Sequence, residues 1–136
     1  MKILLAVDGS AHSLDTTKFV IEHADWYRAK PEIELVHVHL PVPQLPGLGT
    51  TIGKAGIQRY YQEEGEKALA EAKKLLDRSG LAYEARILVG DPAETIMKHA
   101  ERTGCDLIAI GTPSRWIGSC ASKVMHISDL PVLLVK

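Results

Sequence analysis

The stretch from Asp106 to Lys136 decides the fold of this chain, and it reads DLIAIGTPSRWIGSCASKVMHISDLPVLLVK. Two short apolar runs, Asp106–Ile110 and Val132–Val135, flank a loop with Gly and Ser and a short helical segment. A strand, a loop with a helix, and a second strand are typical of a βαβ unit with parallel strands. Ligands bind beyond the carboxyl ends of strands in such sheets. Gly118 and Ser119 stand where the helix should begin, and free N–H groups there attract phosphate.

The rest of the chain repeats this alternation of strand and helix. Three further segments predict strands separated by helical patterns: Lys2–Val7, Glu32–His39, which alternates at its start, and Tyr83–Val89. Lys2–Val7 is apolar on both faces, which predicts a central parallel strand covered by helices on each side. The sequence therefore predicts a single domain over residues 1–136 with a doubly wound, five-stranded parallel α/β sheet.

The first helix is predicted over about Ala11 to Arg28, with Leu14, Phe19–Ile21 and Ala24 on its inward side and Ser10 or Ser13 as its N-cap. Two later helices have clear boundaries as well. One runs over Ile57–Ser79 and ends at Gly80, which suits the C-cap position. The other begins after Asp91 as N-cap, with Pro92 at its first position.

The segment Pro41–Gly56 has a different composition, because three prolines are followed by four glycines. It is longer than an ordinary connection in a compact domain. We interpret it as a lid or mobile segment, or as a bridge without a role of its own.

Composition excludes several classes of function. The net charge is −1, which argues against a strongly electrostatic partner such as duplex DNA. Cys105 and Cys120 stand alone without a second pair, so we expect both to be reduced and mostly structural. No apolar run approaches the ~20 residues of a membrane span. Ile3–Val7 is too short for a signal peptide, so we expect a cytoplasmic protein without a membrane partner.

Five stretches, in this order and at this spacing, resemble the universal stress protein family over essentially the whole chain. They are KILLAVDGS at Lys2–Ser10, HVH at His37–His39, VGDPAETI at Val89–Ile96, DLIAIGT at Asp106–Thr112 and GSCASKVMHISDLPVLLVK at Gly118–Lys136. The resemblance implies a Rossmann-like fold with strand order 3-2-1-4-5. Strands one and four are then neighbours, and the crevice between them is the switch point where ligands bind.

Many members of that family bind ATP through a glycine pattern, and this chain carries a shortened version of it. The pattern is a Gly, two residues, a second Gly, nine residues, then Gly-Ser or Gly-Thr. Gly111 matches the first glycine, Ser114 stands in place of the second, and Gly118-Ser119 match the last pair after only three residues. The helix start survives, and Arg115 in the short loop could contact a phosphate. The alternative for Gly118-Ser119 is a plain helix N-cap.

Asp8 resembles the family residue that lies at the adenosine in ATP-binding members, where its carboxylate can accept hydrogen bonds from ribose or from the adenine amino group. The alternative is that Asp8 caps the following turn through Ser10. Trp116 could stack on a base or cover the core. The candidate nucleotide-binding residues are Ala6, Val7, Asp8, Val38, Ile110, Gly111, Ser114, Arg115, Gly118, Ser119, Cys120 and Ala121.

Neither a metal site nor a catalytic site is predicted. His37 and His39 share one face of their strand, but only His12 offers itself as a further ligand, so we expect strand-end polar residues. A serine nucleophile would need an oriented base, and no G-x-S-x-G motif occurs.

The resemblance implies a stress-response module that binds ATP or another adenine nucleotide, with or without Mg²⁺, and does not catalyse efficiently. It also implies a homodimer through the last strand, Pro131–Val135, whose open edge favours pairing. Two alternatives stay open, a nucleotide-free dimeric interaction protein and a slow ATPase.

Overall fold

Five parallel strands form one sheet in the predicted order. A computed structural model describes the backbone of residues 1–43 and 49–136. It describes the side chains of residues 1–43 and 53–136. The strands are β1 (Lys2–Ala6), β2 (Glu32–His39), β3 (Tyr83–Val89), β4 (Leu107–Gly111) and β5 (Val132–Val135). They lie in the order β3-β2-β1-β4-β5, and each neighbouring pair is parallel. The predicted fold class and strand order are confirmed.

The helices cover both faces of this sheet. They are α1 (Ala11–Glu22), α2 (Gly49–Ser79), α3 (Pro92–Arg102) and α4 (Ser119–Ile127), with a short 3₁₀ helix at Ala24–Trp26. Ile3 and Leu5 of β1 pack in a core with α1 and α2, whereas Leu4 packs in a second core with α3 and α4. All three side chains are fully buried, as expected for a central strand covered on both sides.

Helix α1 is shorter than predicted, and its buried face is more polar than predicted. It ends at Glu22, and its buried residues are Ser13, Thr16, Thr17 and Val20. Of the residues predicted to face inward, Val20 and Ala24 are buried, whereas Leu14, Phe19 and Ile21 are half-buried. The Thr16 hydroxyl donates to the His12 carbonyl oxygen at 2.8 Å, and Thr17 makes the equivalent bond to Ser13 at 3.0 Å. Because these hydroxyl groups are satisfied within the helix, short polar side chains can be buried and α1 can lie close to the sheet.

Helix α2 begins earlier than predicted, at Gly49 rather than Ile57. The predicted irregular connection is therefore wrong over residues 49–56, where the backbone is helical apart from a break at Gly53. Gly53 has φ 64° and ψ 169°, a conformation that glycine adopts without steric cost. Residues 44–48 lie outside the described part of the chain, and the predicted mobility of Pro41–Gly56 stays a prediction.

Several predicted boundaries agree with the helix ends. Ser10 caps α1 by accepting from the Ser13 N–H at 3.2 Å, and Asp91 caps α3 by accepting from the Glu94 N–H at 3.1 Å. Gly80 follows α2 with φ 77°, as a C-cap glycine should. Over the described residues, no helix combines the length and apolar character that crossing a bilayer would require.

Candidate functional site

A cavity of about 290 Å³ opens where β1 and β4 end side by side, with Ala6 opposite Ile110 in the register. The chain leaves these neighbouring strands towards opposite sides of the sheet, which makes this crevice the topological switch point. Ten of the twelve predicted residues line it. They are Ala6, Val7, Asp8, Val38, Ile110, Gly111, Gly118, Ser119, Cys120 and Ala121.

Ser114 and Arg115 do not belong to this lining. Both side chains are exposed on the loop between β4 and α4, away from the cavity wall. Trp116 is 65% exposed and also outside the lining, so the interpretation that it covers the core is wrong. Arg115 therefore does not line the cavity, and its contact to a phosphate stays a prediction.

Six further residues line the cavity that sequence reasoning did not select: His12, Ser13, Val36, Pro92, Ile96 and Pro113. His12 and Ser13 lie in the first turn of α1, directly after the loop that carries Asp8, so their proximity could have been inferred. Pro92 and Ile96 come from α3, which reaches the crevice only through the packing of α3 on the sheet. Only the tertiary structure therefore shows that Pro92 and Ile96 line the cavity.

Asp8 provides the carboxylate at the rim of the cavity. One oxygen accepts the Ser10 N–H at 2.9 Å, so Asp8 does cap the turn, as the alternative interpretation held. The other oxygen lies 3.8 Å from His12 Nε2, and the side chain is 61% exposed. Burial alone would raise the pKa of Asp8, but hydrogen bonds from Ser10 and Ser13 and the nearby His12 together lower it. The group is therefore an ionised acceptor, and among the described residues its second oxygen is not taken up by a backbone hydrogen bond.

The first turn of α4 brings backbone N–H groups to the opposite side of the cavity. Its N-cap is Gly118, which has no side chain to accept from these groups, whereas α1 and α3 are capped by side chains. Among the described residues, the N–H groups of Ser119, Cys120 and Ala121 have no hydrogen-bond partner. Such groups, with the positive end of the helix dipole, suit an anionic ligand.

Thr112 organises the short loop, and sequence reasoning missed it. The side chain is fully buried, and its hydroxyl accepts the Gly118 N–H at 2.7 Å and donates to the Trp116 carbonyl oxygen at 3.1 Å. The Thr112 N–H donates to the Val135 carbonyl oxygen at 2.9 Å, which fixes the residue to β5. The loop therefore closes around one hydroxyl group, and the Gly118 N–H is already occupied.

Gly111 is explained by packing. A Cβ atom added there would lie 2.5 Å from the His12 carbonyl oxygen and would also collide with the Thr16 hydroxyl. Only glycine lets α1 approach the end of β4 this closely. Packing against α1 is therefore sufficient to explain a glycine at position 111, and no contact to a ribose or phosphate is needed to explain it.

The charges around the cavity are mostly negative. Burial raises the pKa of the Cys120 thiol, and the carboxylates of Asp91 and Asp8 raise it further, so the thiol stays protonated. Lys123 on α4 lies 3.0 Å from an Asp91 oxygen and 3.6 Å from a Glu94 oxygen, which holds its charge at the α3–α4 contact. Among the described side chains of the lining, only His12 can become a cation.

The two histidines of β2 are each bonded to backbone. His37 Nδ1 lies 2.9 Å from the Val7 carbonyl oxygen, and His39 Nδ1 lies 2.6 Å from that of Leu40. His39 also packs against the rings of Tyr60 and Tyr61. Across the described ranges, no three His, Cys, Asp or Glu side chains gather as a metal site would require.

The comparisons with known proteins agree with this fold. The model of the universal stress protein family matches residues 1–136, and the chain belongs to this family. It is 33% identical to the universal stress protein MJ0531 of Methanocaldococcus jannaschii, over 99% of this chain and 81% of that protein. A universal stress protein of Thermus aquaticus is 36% identical, over 98% of this chain and 97% of its own length.

A solved structure gives the most direct ligand comparison. The universal stress protein of Archaeoglobus fulgidus in complex with dAMP has a TM-score of 0.69 and 27% sequence identity. The match covers 100% of this chain and 98% of that chain. A relative with the same fold along its whole length therefore binds an adenine nucleotide.

Proposed function

We propose that this chain is a regulatory module that binds an adenine nucleotide in the crevice between β1 and β4 and does not turn it over efficiently. The observation that carries the proposal is the cavity itself. It places the Asp8 carboxylate and the open first turn of α4 at one crevice between apolar walls. The dAMP complex of the Archaeoglobus fulgidus relative supports the ligand class.

Each part of a nucleotide finds a suitable surface in this cavity. Val38 and Ile96 contribute apolar surface that suits the face of a base. The free oxygen of Asp8 can accept from ribose hydroxyl groups or from an exocyclic amino group. The N–H groups of Ser119 and its neighbours suit phosphate oxygens, and Mg²⁺ would accompany a bound ATP.

The lining provides little for hydrolysis of ATP. Phosphoryl transfer to water requires a group that positions the attacking water and cations that stabilise the transferred phosphoryl group. Within the described lining, the ionisable groups besides the Cys120 thiol are Asp8 and His12, and Asp8 is bonded to the Ser10 backbone. The slow ATPase is therefore the weaker alternative.

One observation favours the nucleotide-free interaction protein as the second candidate. Thr112 occupies the Gly118 N–H, and Arg115 and Trp116 are exposed on the surface instead of facing the cavity. An exposed tryptophan beside an arginine is a combination that protein interfaces favour. A nucleotide titration separates the two candidates.

A cytoplasmic homodimer that pairs through β5 is part of the proposal. In the described part of the sheet β5 pairs with β4 on one side only, and Val132–Val135 are half-buried. Such an edge favours pairing with a second strand. We expect sedimentation equilibrium at micromolar concentration to give twice the mass of one chain, and a mass of one chain would contradict the dimer.

Substitution of Asp8 by alanine tests the nucleotide site. We expect the affinity for adenosine and for AMP to fall by the same factor, several-fold, because each lost hydrogen bond contributes about 0.5–1.5 kcal/mol. Calorimetric titration measures both affinities. Asp15→Ala is the matched control, since Asp15 is an exposed α1 residue that faces Lys18 instead of the cavity. If the unsubstituted chain binds AMP and the Asp8→Ala variant binds it with the same affinity, the nucleotide lies elsewhere.

A further inference from the structure

We infer that this cavity selects its nucleotide by the number of phosphates and takes an adenine nucleoside monophosphate in preference to the diphosphate or triphosphate. The inference rests on the proposed function, because it concerns the ligand of the same cavity. Three independent observations support the preference for a monophosphate: the charge around the cavity, the number of hydrogen-bond donors, and the space at the phosphate end.

The first observation is the lack of positive charge around the cavity. The described lining contains no lysine or arginine, and residues 44–52, whose side chains lie outside the description, contain none in the sequence. Lys123 is held by the Asp91 and Glu94 carboxylates, and the Arg115 side chain is exposed on the loop. Besides burial, the Asp91 and Asp8 carboxylates raise the pKa of the Cys120 thiol more than Lys123 lowers it, in agreement with the described lining, which carries no lysine or arginine. Each added phosphate therefore brings negative charge that no lysine or arginine of the lining balances.

The second observation is the number of hydrogen-bond donors. The Gly118 N–H donates to the Thr112 hydroxyl at 2.7 Å and is not available to a ligand. Among the described backbone groups of the lining, the N–H groups of Ser119, Cys120 and Ala121 are free, and they belong to a single helical turn. Donors concentrated in one turn can surround one phosphate group, whereas a chain of phosphates needs donors spread along its length.

The third observation is the space at the phosphate end. The loop from Gly111 to Gly118 is closed by the Thr112 hydroxyl, which joins it to the Trp116 carbonyl oxygen and the Gly118 N–H. The cavity of about 290 Å³ is at the lower end of the range for ligand sites, ~300–1,000 Å³. A second and third phosphate would have to extend along the closed loop into solvent, with few contacts.

Calorimetric titrations of the full chain with adenosine, AMP, ADP and ATP, each with and without Mg²⁺, test the inference. We expect AMP to bind about tenfold or more tightly than ATP, a difference of ~1.4 kcal/mol or more. ATP binding as tightly as AMP, with or without Mg²⁺, would overturn the inference and leave the proposed function intact. An absence of binding by both adenosine and AMP at millimolar concentration would overturn the proposed function as well.

The Thr112→Val variant tests the role of the hydroxyl group. Valine removes the acceptor and frees the Gly118 N–H, so we expect the ratio of AMP affinity to ATP affinity to fall about threefold, the scale of one hydrogen bond. Thr112→Ser keeps the hydroxyl and should keep the ratio. A ratio that stays the same in a folded Thr112→Val chain would show that Thr112 does not set the selectivity. If that variant does not fold, the titrations of the original chain decide the inference alone.

Discussion

Replacing Glu34 with alanine is expected to lower the free energy of unfolding by about 1–3 kcal/mol, the usual cost of leaving a buried hydrogen-bonding group, here the His99 imidazole, without its partner. Glu34 lies on β2 and is 1% exposed, inside the sheet–helix interface. One of its oxygens lies 2.9 Å from Nε2 of His99 on α3, and Arg86 and Lys2 lie at 3.6 and 3.9 Å. Without the carboxylate, a buried imidazole and two cations lose their common partner.

Denaturation by urea, followed by circular dichroism, measures this loss. Glu84→Ala is the matched control, because Glu84 is the β3 residue opposite Glu34 in the register and its side chain is 66% exposed. Its pair with Arg86 is at the surface, where such pairs contribute about 0–1 kcal/mol. Equal losses for the two variants would contradict the buried role of Glu34.

Replacing Val38 with tryptophan is expected to weaken AMP binding about tenfold or more, which corresponds to ~1.4 kcal/mol or more of binding free energy. Val38 is half-buried at the carboxyl end of β2, and its side chain forms part of the cavity wall. A bulky ring at this position would fill the apolar part of the crevice where the base is proposed to lie. The Glu34 cluster lies at the other end of β2, so the two predictions are independent.

Calorimetric titration with AMP measures the loss for Val38→Trp, and circular dichroism verifies that the variant is folded. Val89→Trp is the control, since Val89 pairs with His39 at the same end of the sheet, is 42% exposed and lies outside the cavity lining. If both variants bind AMP as the original chain does, the base does not lie against Val38.

The strands and their order could be predicted because the evidence for them is local and repeated. Strands such as β1 and β4 are short apolar runs, and the order followed from the resemblance of motifs such as those at Asp8 and Gly118-Ser119. Those motifs stand at strand and helix ends, so the fold itself places them at the carboxyl ends of the strands. For the same reason most predicted site residues do line one cavity.

The remaining parts of the site depend on contacts between distant segments. Ile96 reaches the cavity because α3 packs along one face of the sheet with its first turns beside the carboxyl ends of the strands, which no local pattern reveals. Thr112 is an ordinary loop residue in the sequence, and only the closed loop shows its hydroxyl between Trp116 and Gly118. The glycines ahead of α2 indicated an irregular loop, but a single conformational break at Gly53 accommodates them within helical backbone.

An adenine nucleotide is proposed to bind between the carboxyl ends of β1 and β4. Nuclear magnetic resonance of the ¹⁵N-labelled chain, titrated with AMP, tests this binding site because it reports each backbone amide separately. We predict the largest shift changes at Asp8, at Gly111 and at Ser119–Ala121, which surround the cavity. Shift changes confined to other surfaces, or none at millimolar AMP, would contradict the claim.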